Sequence, residues 1–158
     1  MNKTKSILII DDEKDLCELI RLILKDQNYK VVCAFSLEEG KRKWTRLEPT
    51  VVLLDQNLPD GSGLGFVEQN PLLHLTSKII MITADTRPET KIRAEIAQID
   101  HFIQKPFSLK LIRELLQEII FAYDKVSAPI KAVSDSSKSS LKPGLAEQRV
   151  RRNGLIMP

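Results

Sequence analysis

The alternation of short apolar runs with amphipathic segments constrains the fold of this chain more than any other feature. Runs of β-branched and aliphatic residues occupy positions 7–10, 31–34, 51–54 and 79–83, and a weaker fifth run lies at 102–103. Apolar runs of this length without polar alternation are typical of strands that are covered on both faces, as in a parallel sheet. We therefore expect five buried strands.

Helical patterns fill the segments between these runs. Ser36 and Glu39 have the spacing of a capping box, Pro88 suits the first turn of a helix, and Ser108 is placed to cap the last helix. Two glycines and Pro71 leave room for only a short helix after the third strand. The longer helices are predicted at 16–23, 36–47, 88–97 and 108–120.

The resulting pattern is a strand followed by a helix, repeated five times. Such alternation predicts a parallel sheet with helices on both faces. About 120 residues are too few for an eight-fold barrel, so the prediction is an α/β fold with an open, doubly wound sheet.

The charge is distributed unevenly along the 158 residues. The net charge is +3, but the last 32 residues alone hold six basic and two acidic side chains, so the rest of the chain is close to neutral. That terminal segment is rich in serine and lacks apolar periodicity, which is typical of a chain that cannot offset its ordering entropy by burial. We expect a folded domain at 1–126 and a basic, disordered tail or linker at 127–158.

The two cysteines lie inside apolar segments. Cys17 and Cys33 are not spaced like metal ligands or a redox pair, so we expect buried, reduced thiols, which fit a cytoplasmic protein. The chain also lacks an apolar run of membrane-spanning length and a signal-type segment, and we therefore predict no association with a membrane.

Polar side chains follow the strands where each one ends. Asp11 and Asp12 follow the first strand, Asp55 the third, Thr83 ends the fourth, and Lys105 follows the fifth. The carboxyl ends of parallel strands meet at one edge of a sheet, where ligands bind in open α/β folds. Oxygen donors alone favour Mg²⁺ or Mn²⁺, and a cation with a lysine suits a phosphoryl group, for which a carboxylate can act as nucleophile.

Each of these features has a simpler interpretation when it is taken alone. Asp11 and Asp12 could begin a helix, where carboxylates complement the dipole, and segment 55–61 has the composition of a turn. Thr83 could be an ordinary strand residue and Lys105 a solvated charge. Their combined positions at the strand ends favour the functional interpretation.

Four motifs in this order resemble the receiver domain of two-component response regulators, the phosphoacceptor domain of chemotaxis type. They are ILIIDDE at 7–13, VVLLDQNLPDGSG at 51–63, ITA at 82–84 and KPF at 105–107. The resemblance covers roughly residues 5–125 and implies a flavodoxin-like (βα)5 sandwich with strand order 2-1-3-4-5.

The resemblance also implies a role for each matching acidic residue. Asp55 matches the phosphoacceptor and Asp12 the carboxylate that binds Mg²⁺ directly. Asp11 matches a supporting carboxylate, and Asn57 matches the position whose backbone carbonyl completes the protein ligands.

A second set of positions matches the residues that respond to phosphorylation. Thr83 matches the hydroxyl that moves toward the phosphoryl group, and Lys105 the lysine that pairs with it. Phe102 matches the aromatic switch position, although a phenylalanine near a strand is commonly ordinary core. The bond between Lys105 and Pro106 is expected to be cis.

The resemblance implies a phospho-switch rather than an enzyme, with a histidine kinase or phosphotransfer protein as donor. A downstream protein or a covalently linked output domain would sense the surface around 84–110. The chain could act alone or as the N-terminal part of a longer regulator. The alternatives are a Mg²⁺-dependent phosphatase that forms an aspartyl phosphate, and DNA binding through the basic tail, for which we find no helix-turn-helix pattern.

Overall fold

A computed structural model describes residues 4–127, in which five parallel strands form one sheet between two layers of helices. Strand β1 (Lys5–Ile10) lies between β2 (Tyr29–Ala34) and the central strand β3 (Val51–Asp55), and pairs with both. On the far side of β3 follow β6 (Lys78–Thr83) and then β7 (His101–Gln104). The order β2-β1-β3-β6-β7 corresponds to the expected order 2-1-3-4-5, so the fold prediction is confirmed.

Each face of the sheet carries its own apolar core. Ile7 and Ile9 of β1 point into one core and Leu8 and Ile10 into the other, because successive strand side chains alternate between faces. Helices α1 (Lys14–Ile23) and α5 (Leu109–Ser127) cover the first face; α2 (Leu37–Leu47), α3 (Gly63–Gln69) and α4 (Pro88–Ile96) cover the second. Burial on both faces explains why the strands have no polar alternation.

The predicted helix starts agree with the structure. The Ser36 hydroxyl accepts a hydrogen bond from the Glu39 amide at 3.2 Å, and the Ser108 hydroxyl accepts one from the Leu111 amide at 3.1 Å. The capping box is not fully reciprocal, because the Glu39 carboxylate accepts from the Phe35 amide instead of Ser36. Phe35 lies just beyond the end of edge strand β2, and the carboxylate satisfies its amide.

The segment after β3 contains more structure than the sequence predicts. Residues Asn57–Leu58 (β4) pair antiparallel with Gly61–Ser62 (β5), so the predicted turn is a short hairpin. The predicted short helix is α3, and a 3-10 helix at Pro71–Leu75 follows it. Two-residue strands lie below the length at which alternation is visible in a sequence.

The expectation of two reduced thiols is wrong. Cys17 of α1 and Cys33 of β2 form a disulfide, with their Cα atoms 6.4 Å apart. The pairing of β2 beside β1 directs Cys33 toward the face that α1 covers, a proximity that a separation of 16 residues does not reveal. The argument for a cytoplasmic location from reduced thiols therefore has no support.

Within residues 4–127, no helix has the length and apolar character needed to cross a membrane. The predicted disordered tail lies outside the described residues, and it stays a prediction together with the domain boundary at residue 126.

Candidate functional site

The carboxyl ends of the strands bring the predicted polar residues to one edge of the sheet. Backbone hydrogen bonds continue the ladder one residue past these ends: the Asp11 amide donates to the Ala34 carbonyl at 3.0 Å and the Lys105 amide to the Thr83 carbonyl at 2.7 Å. These bonds fix the backbone of Asp11 and Lys105 relative to the buried sheet.

Three carboxylates form a cluster at this edge. Oxygen atoms of Asp11, Asp12 and Asp55 all lie within 4.8 Å of one another. Asp11 and Asp55 are 2% and 5% exposed, whereas Asp12 is open to solvent. An all-oxygen set with one solvent-facing member fits a hard divalent cation that keeps several waters, which is the usual state of Mg²⁺ in proteins.

Lys105 provides the positive charge of the site. Its Nζ lies 3.5 Å from Asp55 Oδ1, 3.4 Å from Asp11 Oδ2 and 2.9 Å from Glu13 Oε1. The peptide bond between Lys105 and Pro106 is cis. The contact with Glu13 was not predicted: the acidic run 11–13 was visible in the sequence, but the orientation of the third member was not.

The two buried carboxylates carry an electrostatic cost. Burial raises the pKa of Asp11, although the Glu13 amide and Lys105 oppose the shift. Burial also raises the pKa of Asp55, and the charge of Asp11 raises it further. Lys105 has a raised pKa as well, because its bond to Glu13 and the charges of Asp11 and Asp55 outweigh its desolvation. Binding of a cation, or neutralisation of one carboxylate, therefore stabilises a site of this kind.

This cost leads to a prediction for the metal-free protein. Because the folded-state pKa of Asp11 is raised, the folded protein disfavours the ionised carboxylate more than the unfolded chain does. The fold is therefore relatively more stable at low pH, where Asp11 is protonated in both states, and it loses this stability as the pH rises through the pKa of Asp11 in the folded state. Asp11→Asn should therefore increase the free energy of unfolding at pH 7, and the gain should shrink as the pH approaches 4. Urea denaturation of both proteins in EDTA across this range measures the difference. If the stability gained by Asp11→Asn increased toward low pH, the pKa of Asp11 in the folded protein would not be raised.

The hydroxyl of Thr83 is buried and engaged. Thr83 is 0% exposed, and its Oγ1 accepts a hydrogen bond from the Asp85 amide at 2.9 Å. Phe102 is half-buried on β7, opposite Met81 in the strand register, and packs against the core on the face of α2, α3 and α4. Thr83 ends β6, and Phe102 lies on β7, the edge strand that pairs with β6.

The hairpin that carries Asn57 begins two residues after Asp55. Its base is fixed by Gln56, whose backbone carbonyl accepts from the Gly63 amide at 2.9 Å and whose Oε1 accepts from the Leu64 amide at 3.0 Å. The sequence does not distinguish Gln56, because an amide side chain in a turn-like segment forms no recognisable pattern.

The chain is similar to known signalling proteins. A model of the response regulator receiver domain family matches residues 7–117. The response regulator protein PilR of Pseudomonas aeruginosa is 34% identical over 116 residues, which is 73% of this chain and 26% of PilR. The phosphate regulon transcriptional regulatory protein PhoB of Escherichia coli is 28% identical over 142 residues, which is 88% of this chain and 61% of PhoB.

The solved structures show the same fold. The CheY-like receiver domain protein of Methanospirillum hungatei JF-1 superposes with a TM-score of 0.72 at 28% identity, covering 78% of this chain and 99% of that one. The chain thus spans less than two thirds of the length of PilR and PhoB but nearly all of a solved receiver domain. With the family model matched over most of the chain and this sheet order, the chain belongs to the response regulator receiver domain family.

Proposed function

We propose that the chain accepts a phosphoryl group on Asp55 and acts as a signalling switch. The observation that carries the proposal is the placement of the Lys105 ammonium 3.5 Å from a nearly buried Asp55 carboxylate, inside a cluster of three aspartates. Transfer of a phosphoryl group depends mainly on positioning and charge neutralisation, and this arrangement offers both.

The donor in this proposal is a phosphohistidine on a kinase or phosphotransfer protein. An Asp55 carboxylate oxygen attacks phosphorus as the bond from phosphorus to the imidazole nitrogen breaks, and the imidazole leaves with the electron pair. Mg²⁺ (or Mn²⁺) would be held by Asp12, Asp55 and the Asn57 carbonyl, with Asp11 in support, and would neutralise charge on the transferring group. Lys105 orients the phosphoryl oxygens by donating hydrogen bonds to them.

The response to phosphorylation would begin at Thr83. Its hydroxyl accepts from the Asp85 amide in the structure, and it can instead donate to a phosphoryl oxygen on Asp55. Such a movement of Thr83 would free space for Phe102 and alter the surface formed by β6, α4, β7 and α5. A downstream protein or a linked output domain would read this change.

The proposed setting is the cytoplasm, where kinases of this class donate their phosphoryl groups. PhoB, one of the relatives, is named as a transcriptional regulatory protein, and the chain covers 61% of it. We propose that any effect of this chain on transcription passes through a downstream or linked output domain rather than through direct contact of residues 4–127 with nucleic acid.

The phosphatase alternative makes a different prediction from the switch. With acetyl phosphate and Mg²⁺, intact mass should rise by one phosphoryl group per chain, and in EDTA this product should be absent. A phosphatase would instead release many equivalents of phosphate from unrelated phosphate esters with little labelled protein. Intact-mass spectrometry and a phosphate-release assay on the same samples separate the two, and labelling that is equal in EDTA would overturn the metal assignment.

A further inference from the structure

Asp60 makes a contact that the proposed chemistry does not use. It lies in the turn between β4 and β5, and its two carboxylate oxygens accept hydrogen bonds from the backbone amides of Leu37 at 2.9 Å and Glu38 at 3.0 Å. These are the first two backbone amides of α2. The helix precedes Asp60 in the chain, and the two hydrogen bonds span 23 and 22 residues. The first amides of a helix have no partner within the helix, so a side chain from another segment can satisfy them.

The contact is favourable for a charged carboxylate. The hydrogen bonds from Leu37 and Glu38 hold the pKa of Asp60 below its usual range. The positive end of the α2 dipole adds to this attraction. Ser36 supplies the acceptor for the next amide, that of Glu39, so the two side chains divide the start of the helix between them.

The same hairpin leads directly from the proposed phosphoacceptor. Asn57, whose carbonyl belongs to the proposed cation site, opens β4 opposite Ser62, and Leu58 pairs with Gly61. Gln56 fixes the base of the hairpin through the Gly63 and Leu64 amides. Asp60 fixes the turn at the other end. The backbone around Asn57 is therefore held between two anchors, one on α3 and one on α2.

We propose that Asp60 is a positioning residue that holds the hairpin at 57–62 on the start of α2 and thereby aims the Asn57 carbonyl at the cation site. The inference rests on the proposed function, because it assigns Asp60 a part in cation binding at that site. Without the carboxylate, the turn loses its hydrogen bonds to α2, and the hairpin around Asn57 is held by hydrogen bonds only at its base, through Gln56. Residues that orient a metal ligand from outside the first coordination shell commonly alter metal affinity when they are replaced.

The chain offers a matched control at the same helix end. Asp60→Ala and Ser36→Ala each remove acceptors for α2 amides, and each should lower the free energy of unfolding by about 1 kcal/mol, the usual loss for a helix cap. Of these two residues, only Asp60 belongs to the hairpin. Asp60→Asn keeps one side-chain oxygen as acceptor and should rescue part of the effect.

The test is Mg²⁺ binding by isothermal titration calorimetry, together with amide hydrogen exchange of the metal-free proteins. We expect the dissociation constant for Mg²⁺ to rise about tenfold in Asp60→Ala, which is the lower limit of the usual effect of replacing a residue that orients a metal ligand. In Ser36→Ala the dissociation constant should stay unchanged. Exchange should quicken at 57–62 and at Leu37 and Glu38 in Asp60→Ala, whereas Ser36→Ala should affect Glu39 without affecting the hairpin.

Two results would overturn this inference. One is a dissociation constant for Mg²⁺ that is the same in Asp60→Ala and the wild type. The other is an equal loss of affinity in Ser36→Ala, which would mean that helix stability alone controls the site. Neither result touches the proposed function, which fails only if the wild-type protein takes no phosphoryl group on Asp55.

Discussion

An Asp55→Asn protein should take up no Mg²⁺-dependent phosphoryl label, from either a cognate histidine kinase or acetyl phosphate. The amide has no negatively charged oxygen to attack phosphorus and cannot form the acyl phosphate that the carboxylate forms. The measurement is intact mass after incubation with acetyl phosphate, and the expected loss is complete. A variant that still gains a phosphoryl group in a Mg²⁺-dependent reaction would place the acceptor elsewhere.

Loss of labelling through unfolding can be separated from loss of the nucleophile. Burial and the charge of Asp11 raise the pKa of Asp55, so replacing it with a neutral amide relieves a cost in the metal-free protein. Asp55→Asn should therefore be at least as stable as the wild type in EDTA. Asp26→Asn is the matched control: Asp26 is exposed, follows the far end of α1, and should be labelled at the wild-type level.

The fold was predictable because burial acts directly on the strand sequences. Segments 7–10 and 51–54 are apolar at every position because each of them has a helical layer on both sides. The meeting of Asp11 with Asp55 at one edge follows from the parallel pairing of β1 with β3, which places their carboxyl ends side by side. A regular repeat of strand and helix therefore predicted both the layers and the edge that carries the site.

Apart from the short hairpin and the 3-10 helix after β3, the parts that were not predicted are contacts between residues well separated in sequence. Glu13 reaches Lys105 across 92 residues, and Asp60 reaches the start of α2 from a turn whose composition suggests only a turn. The disulfide depends on the direction in which Cys33 points from β2. Such contacts depend on side-chain direction in three dimensions, and neither apolar periodicity nor motif spacing contains that information.

Gly63 is the position where a single methyl group should do the most damage to both fold and site. It opens α3 beside the end of β3, and a Cβ placed on it would lie 2.3 Å from the Asp55 carbonyl oxygen and 3.0 Å from Leu54 Cγ. Neither neighbour can give way easily, since one is backbone of the central sheet and the other is a buried core side chain. The absence of a side chain at Gly63 is therefore what permits α3 to start this close to Asp55.

Gly63→Ala should lower the free energy of unfolding by about 2 kcal/mol, within the usual range for overpacking a core. The Mg²⁺-dependent rate of phosphorylation should fall further, by about 100-fold, because a shift of about 1 Å at the acceptor disturbs the in-line geometry. Urea denaturation and a time course of acetyl phosphate labelling measure the two effects. Labelling should be compared at a temperature where the variant is fully folded.

Gly65→Ala is the matched control within the same helix. There the nearest atom to an added Cβ is the Ser62 hydroxyl at 2.8 Å, which accepts a hydrogen bond from the Gly65 amide but belongs to a rotatable side chain. The methyl group therefore weakens one helix cap, and the preference of alanine over glycine for the helix offsets that loss. We expect a small change in stability and nearly normal labelling. If Gly63→Ala behaved like Gly65→Ala, the close approach of α3 to Asp55 would not constrain the acceptor. If only Gly63→Ala lost labelling while folded, the position of the Asp55 backbone would be set by the start of α3.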